Sequence, residues 1–124
     1  MTQQESIRHW QQGARDSLRA AELLYDDKKY SLTLFHCHLA IEKALKALYI
    51  TEHDGAAPYI HNLIDLTHSL SREFTNEQHR FLRELTRFAV DARYNDPVWA
   101  ETQATPEVVE KWLEQTQSLL SILL

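Results

Sequence analysis

Seven histidines, one cysteine and a Glu-Lys cluster are the residues of this 124-residue chain whose side chains bear the most chemistry. Histidine is the commonest metal ligand, but the spacing here does not suit a metal. His36 and His38 are two apart, so on a helix they diverge by about 200°. His61 and His68 share a face but lie about two turns apart, too far for one ligand shell. A tetrahedral site needs three or four convergent ligands. No metal and no cofactor are therefore expected, and hydrogen-bonded or solvated histidines are the simpler reading. Cys37 stands between apolar residues and reads as a small core residue. As the single cysteine it forms no internal disulfide and no multi-cysteine zinc site. Neither GxGxxG nor GxxxxGK[ST] occurs, so there is no glycine-rich phosphate cradle.

The run AIEKALKAL holds the most informative polar residues. Glu42 and Lys46 form an i,i+4 pair, with His38 one step back on the same face. Lys43 adjoins Lys46 at i,i+3, and His36 lies seven positions before Lys43. The segment is thus expected to show His36, Glu42, Lys43 and Lys46 on one strip, which either is solvated as an ordinary ion pair or meets a charged partner. Arg80, Arg83 and Arg87 make a second, basic stripe, interrupted by Glu84 and followed by Arg93. Solvated arginines and a phosphate- or RNA-contacting edge are both readings of it. Arg93-Tyr94-Asn95-Asp96-Pro97 reads either as a capping turn or as a loop that binds a nucleotide or a partner.

Helices must position these groups. Only two glycines and three prolines occur, too few turns for an all-β fold. Hydrophobic residues are 44% and charged residues 25%, the composition of an ordinary globular protein. The net charge of −5 does not advertise nucleic-acid binding by the molecule as a whole, and a local basic patch stays open. No apolar run approaches the ~20 residues of a membrane span, and MTQQESIRHW lacks a signal-peptide core, so a cytoplasmic protein is expected.

Five helical segments account for most of the chain. The first covers about 3–27, with a Thr2/Glu5 capping box and a buried stripe from Ile7 and Trp10 to Tyr25; Gly13 is expected to face elsewhere. The second covers about 31–52 and is apolar over most of its circumference, so it is central, contacted by several neighbours or by a second subunit. A loop around Gly55 and Pro58 precedes a short helix at about 60–71. The fourth helix starts at a Thr75/Gln78 capping box and ends near Ala92. An irregular stretch follows, and the last helix opens with Thr105 as N-cap and Pro106 in its first turn. The expected architecture is all-α, an up-and-down antiparallel bundle of four to five helices forming one domain over 1–124. Such a bundle favours a site in a groove or at an interface over a deep pocket. The apolar excess of the second helix, with Trp99 and Trp112, points to a homodimer.

Trp10, Ala14, Leu18, Ala21 and Leu24, then Tyr30, then the unbroken run His36–Leu48 with AIEKALKAL, then His61-Asn62-Leu63, Leu66 and Ala92-Arg93-Tyr94 closely resemble the HEPN domain family. The resemblance extends from Trp10 to about Leu120. It implies the same helical bundle and commonly a homodimer. Many family members resemble metal-independent RNases, in which an Arg and a His four to six residues later act together on a 2′-hydroxyl. Others are companions of a minimal nucleotidyltransferase, in toxin–antitoxin-like pairs with nucleotide binding. This chain departs from the RNase pattern, because no histidine follows His79. Arg72 and His79 match the spacing formally but straddle the helix start at Thr75. The resemblance therefore implies a non-catalytic partner of a minimal nucleotidyltransferase that binds a nucleotide or nucleic acid. In that role Lys43, Lys46 and Arg93 would face phosphate, Glu42 would orient the lysines, His36 would join the site, and Tyr94 would stack or be modified. The alternatives are an endoribonuclease toxin using Arg93, Tyr94 and Asp96, and a purely structural helical dimer.

Overall fold

The computed structural model describes residues 1–91 and 97–124. Among them six α-helices occur and no strand: α1 (Gln3–Asp26), α2 (Tyr30–His53), α3 (Leu63–His68), α4 (Asn76–Thr86), α5 (Pro97–Gln103) and α6 (Pro106–Leu123). A π-helical turn, Arg87–Asp91, continues α4.

The helix starts are written in local chemistry. Thr2 and Glu5 form a reciprocal capping box on α1, and Thr75 and Gln78 form one on α4. Thr105 accepts from the Val108 amide, with Pro106 in the first turn of α6. The expected helix at 60–71 is shorter, because the Asn62 side chain accepts from the Ile64 and Asp65 amides and so fixes the start of α3 at Leu63. The stretch expected to be irregular after Ala92 contains α5.

α1 and α2 form an antiparallel pair joined by a turn in which Lys28 adopts φ 59°. α6 lies against both, and α3, α4, the π turn and α5 close around α2. Helix α2 is therefore central. Leu34, Cys37, Ile41, Ala44 and Leu45 are fully or almost fully buried on it. Leu32 on it is exposed and Leu39, Leu48 and Tyr49 are half-buried, so part of its apolar circumference reaches the surface. Trp112, on the side of the last helix that the apolar spacing marks as buried, is a core residue that meets Phe88 edge-on at 4.9 Å and Phe81 at 6.5 Å. Burying its indole against two rings satisfies far more apolar area than a surface position would. Cys37 is buried, and burial pushes its thiol up to about 12, so it is inert at neutral pH. No described helix is long and apolar enough to cross a membrane.

Candidate functional site

The polar residues of α2 do not form one strip. At about 100° per residue, His38, Glu42 and Lys46 fall within about 80° of one another, whereas His36 and Lys43 lie on a neighbouring face. The two sets meet different surroundings.

Lys46 Nζ donates to Glu42 Oε2 at 3.1 Å, and both side chains are under 10% exposed. The Lys46 ammonium also lies 5.4 Å from the centre of the Trp10 ring on α1. An ammonium over an indole face is attracted by the ring quadrupole, more so when water is excluded. Glu42 Oε2 is shared with His61 Nδ1 at 3.1 Å, contributed by the segment that enters α3. His38 Nδ1 stands 3.8 Å from Glu42 Oε1, beyond hydrogen-bond length. Burial lowers the pKa of His38 below its ordinary value; the charge of Glu42 opposes this only in part. His38 is therefore a neutral imidazole at neutral pH.

Lys43 goes elsewhere. Its Nζ donates to Ser17 Oγ of α1 at 3.0 Å, and Ser17 is buried. The Lys43 stem crosses α1 at Gly13, where a Cβ would stand 3.1 Å from Lys43 Cδ. Gly13 does not face away from the bundle, as its place outside the apolar stripe had suggested. It is the gap through which the lysine passes.

Of the three residues expected at a phosphate site, Glu42 and Lys46 hold each other, and Lys43 and Lys46 reach across the α1–α2 seam to Ser17 and Trp10. A charge buried in a low-dielectric interior is stable only when paired, and Glu42 supplies that pairing for Lys46. His36 is half-buried on α2 with its ring edge-on to Phe35 at 5.3 Å. Arg93, Tyr94 and Asp96 lie outside the described residues. His79 packs against His68 and Phe74, with ring centres 5.9 Å and 6.1 Å away.

The basic stripe of α4 is on the outside. Arg80, Arg83 and Arg87 are all exposed, with Glu84 beside them. Arg87 stacks over Trp99 of α5, its guanidinium carbon 4.8 Å from the ring centre. Phe88 contacts Trp99 at 5.0 Å, so the π turn and α5 share an aromatic seam. The wider π turn carries Arg87 and Phe88 side by side onto one indole; such turns recur at functional sites.

His61 and Ser17 were outside the site expected from sequence. Their partners are 19 and 26 positions away, and only folding brings them together. The signal for His61 was its place in the His61-Asn62-Leu63 motif; nothing in the sequence marked Ser17.

Comparison with known proteins fits this architecture. The crystal structure of TT1696 from Thermus thermophilus superposes with a TM-score of 0.81 over 94% of each chain, at 24% sequence identity, and so shares the fold. No curated protein sequence matches the chain. The family model for the HEPN domain matches residues 7–124, nearly the whole chain, and the chain belongs to the HEPN domain family.

Proposed function

We propose that this HEPN-domain chain is a non-catalytic binding module that acts in the cytoplasm. It engages the phosphates of a nucleotide or nucleic acid as the partner of a minimal nucleotidyltransferase, in a toxin–antitoxin-like pair, and works as a homodimer. The observation that carries the reading is the exposed row Arg80, Arg83 and Arg87, which ends on the Trp99 indole. Guanidinium groups on an open face match phosphate oxygens, and an indole beside them suits a base. The row leads along the chain toward Arg93 and Tyr94, and we assign those two residues, with His36, to the same ligand. Glu42, Lys43 and Lys46 support the site by holding α2 against α1. The lack of any histidine after His79 argues against the nuclease alternative, since Arg93 then has no imidazole four to six residues on to act as acid or base.

The test is binding of labelled single-stranded RNA and of ATP, read by anisotropy and calorimetry. Replacing Arg80, Arg83 and Arg87 by alanine together is expected to weaken RNA binding at least tenfold. It should also reduce the salt dependence by about 2 log units per log unit of salt, for three lost phosphate contacts. No binding of either ligand at millimolar nucleotide and micromolar RNA would reject the proposal and favour the structural dimer. Cleavage of RNA in the presence of a chelator, lost on Arg93→Ala, would favour the endoribonuclease. Sedimentation showing only monomer at micromolar concentration would remove the homodimer.

A further inference from the structure

The imidazole of His61 is exposed on one side and held by a buried acid on the other. Its side chain is 72% exposed, while that of Glu42 is 8% exposed. Glu42 Oε2 lies 3.1 Å from His61 Nδ1 and 3.1 Å from Lys46 Nζ. A carboxylate paired with an ammonium accepts hydrogen bonds and donates none. The proton of a neutral His61 ring therefore sits on Nδ1, and Nε2 carries the free lone pair. The carboxylate is itself fixed, by Lys46 from one side and by the packed His38 ring on the helical turn before it. A nucleophile oriented by a group that a third group holds in place is the arrangement used in covalent catalysis.

The His61 ring stands open on the surface, so a donor can approach Nε2 from solvent. An oriented nucleophile open to solvent suits acceptance of a group carried by another molecule. We propose that Nε2 of His61 is a phosphoryl-acceptor site, charged by a phosphoanhydride donor that a second protein presents. The Nε2 lone pair attacks phosphorus and an N–P bond forms. The bond from phosphorus to the leaving oxygen breaks, and that oxygen takes the electron pair. The ring keeps its Nδ1 proton and becomes positive, and the Glu42 carboxylate 3.1 Å away offsets the charge. The inference is independent of the arginine row and of any nucleotide bound there.

The probe is potassium phosphoramidate, which transfers its phosphoryl group to imidazole and releases ammonia. Intact protein is treated with it, and all seven histidines are followed by peptide mass spectrometry and phosphorus NMR. His61 is expected to react at least fivefold faster than the exposed His9 and His68 of the same molecules, and at Nε2. Equal rates, or phosphorylation at Nδ1, would overturn the proposal. Glu42→Gln should bring the rate of His61 down to that of His9 if circular dichroism shows the fold intact; an unchanged rate in folded protein would also overturn it. If that variant does not fold, the rate ratio and the nitrogen labelled in the unaltered protein decide.

Discussion

The buried Glu42–Lys46 pair and the neutral His38 beside it make two residue-scale predictions. Removing one partner of a buried ion pair leaves the other charge without compensation, whereas replacing a charge by an apolar group of similar length keeps the packing. Lys46→Ala also loses the contact with Trp10. It is expected to cost about 3–5 kcal/mol in chemical denaturation, and a loss below about 1 kcal/mol would show that water reaches Glu42. His38 gives the pH dependence. Its folded pKa lies below the ordinary 6.5, so between the two values the unfolded chain binds the proton and the native one does not. Stability therefore rises with pH in that window: the full value is present above about 6.5, and it is lost as pH falls toward the folded pKa. His38→Leu should flatten this part of the stability profile, and an unchanged slope on the acid side of about pH 6.5 would refute the assignment.

At the scale of elements, the α1–α2 seam depends on one missing side chain. Gly13 normally weakens a helix by about 1 kcal/mol relative to alanine. Here the absent Cβ leaves room for the Lys43 stem. In Gly13→Ala the new methyl meets a methylene of a flexible chain at 3.1 Å, which can yield, so the helix gain is expected to survive in part as a small stabilisation. Gly13→Leu must displace Lys43 from Ser17 and should cost about 1–3 kcal/mol, as overpacking does. Thermal unfolding of both variants checks the pair, and stabilisation by leucine would refute the role of the gap. The same scale shows how the sequence misled. Helical spacing put Lys43 beside Lys46, but the roughly 60° between positions three apart is enough to send one lysine into the α1 face and the other over Trp10.

For the whole molecule, Trp112 is the joint where α6, α4 and the π turn meet. Trp112→Ala is expected to cost about 3–5 kcal/mol, because the cavity between the rings of Phe81 and Phe88 cannot close without moving a helix. A loss near zero in denaturant titration would mean that these elements pack loosely. Most of the fold was legible before it was seen. The capping boxes at Thr2 and Thr75, the cap at Thr105 with Pro106, and the apolar periodicity from Ile7 to Leu123 are local signals that act within one or two helical turns, so they mark helix starts and inward faces without knowledge of neighbours. The all-round apolar character of α2 likewise announced the central helix. The polar site was much less legible. That Glu42 binds His61 and that Lys43 reaches Ser17 depend on which helix lies against which, and those contacts join residues far apart in the chain. Periodicity determines which side of a helix avoids water; only the tertiary packing decides whether a charge on that helix meets solvent, a partner across a seam, or a second charge within the interior.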